Sequence, residues 1–321
     1  MSDRNSAPHG RGGKLPTEAR LQQWESVESV DYPVAIAHSS ELMKPRDYVT
    51  DDVTGIPVLA VRQQDGSLKA FLNVCRHRGV QVVTECAGNR RSFTCPYHGW
   101  TYAPDGGLRG IPYRQAFGNI DRAERGLREV PVEERHGLIW IRLTPESSLD
   151  VSSYLTAALD RDLTALQSGD LVVERKQTFD ASSDWLTVAN AVYNSQVVGA
   201  GASAERHSGS HEWVLSKKSG SLESQRPPDM AGWAFPHNLF ARQGDHVELW
   251  GIYPARSNPM AATVRLTLLA PKDRRENTLE WDQIWARLLD RYPGLVARDS
   301  ETETEIEQGS PAEVSEDHAS L

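Results

Sequence analysis

The sequence predicts an α+β protein in which an all-β N-terminal part precedes a part that combines an antiparallel sheet with helices. Short apolar runs separated by turn residues fill residues 33–145, and helical periodicity first appears after Pro145. Beyond that point strands and helices come in separate blocks, whereas a parallel sheet would alternate them. We therefore expect antiparallel sheets in both parts.

Two Asp-Gly pairs predict hairpins in the first part. Asp65-Gly66 separates two apolar runs, and Asp105-Gly106 repeats the arrangement. The apolar segment HGLIWIRL predicts a buried strand.

Helices and a further hairpin are expected in the second part. Trp185, Val188, Ala189 and Val192 follow the i, i+3, i+4, i+7 pattern of a helix, with Ser183 or Asp184 as its N-cap. The segments LDVSSYLTAALD and TLEWDQIWARLLDRY also show helical periodicity, and HEWVLSKKSGSLESQ predicts a hairpin.

The predicted organisation has five segments. Residues 1–18 are polar and contain several Gly and Pro residues, which predicts a disordered lead-in, and an N-terminal segment follows at 19–32. The β domain covers 33–145, the sheet-and-helix domain 146–298, and an acidic helix or tail 299–321.

Composition excludes several classes of function. The net charge of −9 comes almost entirely from the last 23 residues, which carry eight acidic and no basic side chains, against 36 acidic and 35 basic elsewhere. No basic stripe suggests nucleic-acid binding, and no apolar run is long enough to cross a membrane. Three cysteines do not make a disulfide framework, and with no apolar signal-peptide stretch a cytoplasmic location is expected.

Two Cys/His pairs carry the chemistry of the first part. Cys75 and His77 form C-x-H, and seventeen residues separate them from Cys95 and His98, which form C-x2-H. Each pair follows a predicted strand, so two neighbouring loops could converge on one metal centre. One thiolate and one imidazole from each loop suit a [2Fe–2S] centre in which two His replace two Cys on one iron. A structural zinc site is the alternative, although a Cys2His2 finger would group like ligands together.

The segments CRHRG and CPYHGW resemble the two-loop signature of the Rieske family, with Trp100 as the aromatic residue beneath the second loop. The resemblance implies that Cys75 and Cys95 hold one iron of a [2Fe–2S] Rieske cluster and that His77 and His98 hold the other. The extra loop cysteines of electron-transport Rieske proteins are missing, which indicates the oxygenase or ferredoxin branch. We expect Cys86, between the loops, to be a packed thiol.

The length and element order beyond residue 145 resemble the large subunit of Rieske non-haem iron oxygenases of the aromatic-ring-hydroxylating type. That resemblance implies a helix-grip-like catalytic domain with a mononuclear Fe(II) held by two His and one carboxylate. Gln196 and Gly201 stand where the two His are expected, and Tyr193 or Asn194 replaces an acidic residue. A Gln carbonyl is a poor ligand for Fe(II) and Gly offers no side chain, so we expect this chain to lack a mononuclear iron.

A rearranged iron site remains possible at other residues. His207 and His211 lie at i, i+4, which on a helix would place both imidazoles on one face. Asp299 is the best match to the C-terminal carboxylate of the family; it would be the third ligand of a rearranged site and is otherwise vestigial. The alternative is that both His are surface residues at a hairpin edge.

The resemblance implies an oxidoreductase subunit that accepts electrons from a ferredoxin or flavin reductase into its cluster. It would pass them to a second Rieske oxygenase-type subunit within a trimer or higher ring. One alternative is a self-contained oxygenase that hydroxylates or demethylates a small organic molecule at the rearranged site. Another is a non-catalytic redox carrier or ligand-binding protein. Four basic residues lie near the two loops in the sequence. They either dock an acidic electron donor or simply keep the loop tips hydrated: Arg76, Arg78, Arg90 and Arg91.

The family architecture also implies an apolar pocket for an organic ring, and the substrate itself is left open. Five side chains are expected to form that pocket: Val188, Val192, Trp233, Phe235 and Trp250. Asn238 is expected to mark its wall, whereas His136, His237 and His246 receive no functional role.

Overall fold

The computed structural model describes the chain in eleven stretches. These are residues 32–53, 55–117, 120–155, 157–166, 170–198, 204–205, 212–216, 230–234, 236–255, 258–274 and 278–297. The expectations for residues 1–18, for most of 19–32 and for 299–321 therefore concern residues outside the described part.

The N-terminal part is all-β, as the turn pattern predicts. Its eleven strands are β1 (Val34–His38), β2 (Asp47–Val53), β3 (Ile56–Arg62), β4 (Leu68–Leu72), β5 (Ala87–Asn89), β6 (Phe93–Thr94), β7 (Thr101–Tyr102), β8 (Leu108–Gly110), β9 (Glu129–Val130), β10 (Val132–Arg135) and β11 (Leu138–Ile141). They form three antiparallel sheets with the orders β5-β2-β3-β4-β9, β1-β11-β10 and β6-β7-β8.

Both Asp-Gly turns form hairpins. Gly66 and Gly106 have φ values of +88° and +83°, which favour Gly because it lacks a Cβ. The first turn joins β3 to β4 and the second joins β7 to β8. These hairpins hold the two Cys/His loops, because β4 leads into the first loop and β6 and β7 flank the second.

The described residues of the C-terminal part form one large antiparallel sheet and four α-helices. Its helices are α1 (Val151–Tyr154), α2 (Ala157–Ala165), α3 (Trp185–Val198) and α4 (Thr278–Arg291). Its strands are β12 (Leu171–Ala181), β13 (Ala204–Glu205), β14 (Glu212–Ser216), β15 (Met230–Ala234), β16 (Asn238–Gln243), β17 (His246–Ala255), β18 (Asn258–Pro271) and β19 (Leu295–Ala297). The sheet order is β13-β14-β15-β16-β17-β18-β12-β19.

The two faces of this sheet pack against different partners. On one face the apolar side of α3 and α4 forms a buried cluster with residues such as Trp250 and Leu266. On the other face α1 and α2 pack together with Trp140 of β11. The sheet therefore separates the helix pair α3/α4 from the N-terminal part.

Most local predictions for the second part are confirmed, and two differ in detail. Asp184 is the residue that caps α3, since its carboxylate accepts hydrogen bonds from the amides of Leu186 and Thr187. The segment LDVSSYLTAALD forms two helices, because the backbone becomes extended at Leu155. Strand β14 pairs with β15, and residues 217–229, where the predicted partner lay, are outside the described part.

Buried polar contacts join the two parts. The Asn238 side chain pairs with the backbone of Ala35 in β1, accepting from its amide at 2.9 Å and donating to its carbonyl at 3.1 Å. Asp51 forms a buried ion pair with Arg265 of β18. These contacts position the loops of the first part relative to the large sheet. They also place the Asn238 side chain against β1, on the sheet face away from α3, and not on the pocket wall where it was expected.

None of the helices in the described residues combines the length and apolar character that a membrane-spanning helix requires.

We expect the Asp51–Arg265 contact to contribute strongly to stability. Asp51→Ala removes the carboxylate from a mostly buried guanidinium, and breaking a buried ion pair by removing one partner costs about 3–5 kcal/mol. The measurement is urea unfolding followed by tryptophan fluorescence. Glu129→Ala is the matched control, because its partner Lys69 is 36% exposed and such pairs contribute less than about 1 kcal/mol. Equal midpoints for the two variants would contradict this assignment.

Candidate cluster site and the second metal position

The first loop is closed by two backbone hydrogen bonds. The Cys75 amide donates to the Val80 carbonyl at 2.8 Å, and the Gly79 amide donates to the Cys75 carbonyl at 2.9 Å. Gly79 has a φ of +74°, which lets the chain turn back at this point. The loop therefore presents the residues between Cys75 and Gly79 at its tip.

The second loop repeats the same closure. The Cys95 amide donates to the Trp100 carbonyl at 2.8 Å, and the Gly99 amide donates to the Cys95 carbonyl at 3.0 Å. Gly99 has a φ of +70° and, like the first glycine, comes four residues after its cysteine. The two loops thus have one backbone design, although their His residues stand two and three positions after the Cys.

The four sequence-predicted side chains meet where the loops face each other. The His77 and His98 rings lie 4.5 Å apart between centroids, nearly perpendicular to each other. His77 also stacks in parallel on Trp100 at 5.0 Å, which fixes its ring plane. Cys75 and Cys95 are buried, whereas the two rings are partly exposed, and the two thiols interact with each other. The site therefore has a sulfur side within the protein and an imidazole side nearer its surface.

Electrostatics at the site favours neutral ligand atoms when no metal is bound. Burial raises the pKa of the Cys75 thiol, and the nearby Cys95 acts in the same direction. Burial also lowers the pKa of His77, and the His98 and Arg78 charges add to this effect. A neutral imidazole has the lone pair that metal coordination requires.

Tyr102 contacts the sulfur side of the site and was missed by the sequence analysis. Its hydroxyl accepts a hydrogen bond from the Arg76 amide at 3.0 Å, so its own proton is available to the Cys75 sulfur at 3.3 Å. Burial raises the pKa of Tyr102, which keeps the phenol protonated. Its position two residues after Trp100 is the only sequence signal that could have pointed to it.

Cys86 does not pack as expected. The structure places it on the surface, because it lies in the exposed turn of residues 84–86 before β5. The prediction of a packed thiol is wrong.

Gln196, which stands where the family resemblance expects an iron-binding His, lies on α3 and faces β17. Its amide nitrogen donates to Glu248 Oε2 at 2.8 Å, and its amide oxygen accepts a hydrogen bond from Gln243. Glu248 is fully buried and also accepts from the Trp250 indole at 2.9 Å. Both polar atoms of the Gln196 side chain are therefore engaged within the protein.

The other residues considered for a mononuclear iron lie outside the described part: Gly201, His207, His211 and Asp299, with the pocket residue Phe235. Val188, Val192, Trp233 and Trp250 belong to one buried apolar cluster. Tyr193 packs against Trp233, whereas Asn194 is exposed. Within the described stretches, no three His, Cys, Asp or Glu side chains converge on a point where one ion could bind.

His237, the residue before β16, is buried. Its Nδ1 lies 2.8 Å from the Ile252 carbonyl, and its ring packs between Trp185 and Tyr253. Burial lowers the pKa of His237 to about 4, so the ring is neutral.

Residues 32–131 match the family model described as the Rieske [2Fe-2S] domain. This part of the chain is therefore a Rieske [2Fe–2S] domain, and the chain is homologous to the large subunits of Rieske-type aromatic-ring dioxygenases. It is 36% identical over 154 residues to the benzene 1,2-dioxygenase subunit alpha of Pseudomonas putida. It is 44% identical over 108 residues to the large oxygenase component of a naphthalene 1,2-dioxygenase system from a Ralstonia species.

These matches cover limited shares of both chains. The first spans 47% of this chain and 34% of the dioxygenase subunit, and the second spans 33% and 24%. Structural similarity extends further. A quaternary ammonium Rieske monooxygenase matches with a TM-score of 0.69 at 20% identity, covering 86% of this chain and 84% of that one. At this identity the match establishes the fold, namely a Rieske domain followed by an antiparallel-sheet-and-helix domain.

Replacing either loop glycine by Ala should lower the stability of the protein, and the loss is expected to differ between Gly79 and Gly99. A Cβ at either residue is strained by the positive φ, at about 1 kcal/mol. At Gly99 it would also lie 2.9 Å from Pro112, whereas at Gly79 nothing lies within 4 Å. We expect Gly99→Ala to cost about 1–3 kcal/mol more than Gly79→Ala in urea unfolding and to lower cluster content further. Equal effects in both variants would show that the Pro112 contact is unimportant.

Proposed function

We propose that this chain is the electron-accepting subunit of a Rieske-type oxygenase system. It takes electrons into a [2Fe–2S] cluster and passes them to a partner catalytic subunit in a mixed oligomer. The observation that carries the second half of this proposal is the engagement of Gln196. At the position expected for an iron-binding imidazole, this chain has an amide held by Glu248 and Gln243.

The proposed ligands of the cluster are Cys75 and Cys95 on one iron and His77 and His98 on the other. The donor set fits, because the thiols are buried together and the imidazole rings lie 4.5 Å apart on the outer side. When bound, the cluster supplies storage for a single electron. The chain's own residues fix the His77 ring through Trp100 and place the Tyr102 hydroxyl against one sulfur.

The outer side of the site suits docking of an electron donor. Tyr97 is 57% exposed and packs against the His98 ring at 3.8 Å. Arg78 is exposed on the first loop and Arg91 is exposed between β5 and β6, whereas Arg90 is engaged with Glu85. A partly basic tip favours an acidic carrier, so a ferredoxin or flavin reductase is the proposed donor.

The proposed acceptor is a second Rieske oxygenase-type subunit in a trimer or higher ring. One of the structurally similar monooxygenases is described in terms of inter-subunit electron transfer. An arrangement of that kind would let a chain without its own mononuclear iron serve the site of its neighbour. A substrate of the organic-ring class would then bind to the partner.

A self-contained oxygenase is the second candidate function. It is favoured by the fold, which is shared over most of the chain with complete monooxygenases. It requires a mononuclear iron at His207, His211 and Asp299 in place of Gln196 and Gly201. A non-catalytic redox carrier or ligand-binding protein is the third candidate, and it requires no partner subunit.

Metal and electron counting test the proposal. We expect the anaerobically purified chain to contain about two irons and two acid-labile sulfides and to accept about one electron from dithionite. Cys75→Ser should remove both irons together. A third iron that survives in Cys75→Ser would contradict the proposal and favour the self-contained oxygenase.

Co-purification from the native host separates the electron-accepting subunit from the non-catalytic carrier, because only the former requires a second oxygenase-type subunit that restores oxygen uptake.

The hydrogen bond between the Tyr102 hydroxyl and the Cys75 sulfur is expected to raise the reduction potential of the cluster. A hydrogen bond to a ligand sulfur stabilises the reduced, more negative cluster, so Tyr102→Phe should lower the potential by roughly 40–60 mV. Spectroelectrochemistry gives the value, with Tyr97→Phe as the control because that ring lies at the exposed tip. An unchanged potential in Tyr102→Phe would exclude the hydrogen bond.

A further inference from the structure

One cluster of polar side chains has no part in the proposed electron path. His246 and Glu248 stand at alternate positions of β17, so both face α3, and Glu248 is fully buried while His246 is 9% exposed. His246 Nε2 and Glu248 Oε1 are 3.6 Å apart, which is too far for a hydrogen bond. Neither atom has a hydrogen-bond partner within the described stretches.

The other oxygen of Glu248 is fixed. Oε2 accepts hydrogen bonds from the Gln196 amide at 2.8 Å and the Trp250 indole at 2.9 Å. These neutral donors hold the carboxylate in one orientation and direct Oε1 toward the imidazole. Carboxylates that bind metals in proteins are oriented by outer hydrogen bonds of this kind.

We propose that His246 Nε2 and Glu248 Oε1 bind one divalent transition-metal ion of the Zn²⁺ type. Two ligand atoms that each lie about 2.0–2.2 Å from a tetrahedral ion are roughly 3.3–3.6 Å apart, and the observed separation lies at the upper end of this range. An ion between them would satisfy both buried atoms.

The donor set favours an ion that accepts both nitrogen and oxygen. One imidazole and one carboxylate suit Zn²⁺, and water completes the coordination, since no third His, Cys, Asp or Glu joins them in the described residues. The site lies beside the β16–β17 turn at Gly244 and Asp245. Zn²⁺ has no redox chemistry, so this site is independent of the proposed electron transfer.

Zinc titration of the cluster-containing chain tests this inference. The protein is first treated with EDTA, and its visible spectrum is used to verify that the cluster is retained. Zn²⁺ is then titrated by calorimetry into the wild type and two variants, His246→Ala and Glu248→Gln. We expect one saturable site in the wild type that is at least about tenfold weaker or absent in both variants.

His136→Ala is the matched control. His136 also pairs with a carboxylate, but its Nε2 lies at hydrogen-bond distance, 2.8 Å, from Asp160, so its loss should leave zinc binding unchanged. His246 is slightly exposed, so His246→Ala gives a folded test protein even where Glu248→Gln does not fold. Zinc binding that is absent in the wild type, or equally strong in His246→Ala, would overturn the inference. Reduction by dithionite should be the same in His246→Ala and in the wild type, which separates this test from that of the proposed function.

Discussion

The closure of the two Cys/His loops is the constraint on which the candidate cluster site depends. In each loop the cysteine amide bonds to a carbonyl five residues ahead, and a glycine with positive φ bonds back to the cysteine carbonyl. These bonds satisfy backbone groups that would otherwise be buried without partners near the thiols. They also fix both cysteines at the base of their loops and leave the histidines at the tips. The division into a sulfur side and an imidazole side therefore follows from backbone geometry.

A second constraint is the burial of the Glu248 side chain. A carboxyl oxygen removed from water needs hydrogen-bond donors, and Gln196 and Trp250 supply them to Oε2. Gln196 thus has a structural partner at the position where the family resemblance expects an iron ligand. The Gln196 amide and the buried acid opposite it belong together, because the amide donates a hydrogen bond that the acid accepts.

Local sequence patterns predicted much of the fold. Asp-Gly turns, the period of α3 and the Cys/His spacing all report interactions between residues close in the chain, and the structure agrees with the predicted hairpins and helix. Contacts between distant segments were not predictable in this way. The pairing of Asn238 with Ala35 and the contact of Tyr102 with Cys75 depend on how strands are brought together. The exposure of Cys86 was missed for a similar reason, since its apolar character gave no information about its turn.

The buried polar contacts between the N-terminal strands and the large sheet fix how the two parts are joined. Asn238 of β16 pairs with the backbone of Ala35 in β1, and Asp51 of β2 forms an ion pair with Arg265 of β18. Asn238 and Arg265 both lie opposite Gly251, with only β17 between their strands, so the two contacts act together at one place on the large sheet. In the proposed function this joint would set where the loops stand above the sheet, and the molecules that assemble around the loops would decide where an electron goes next.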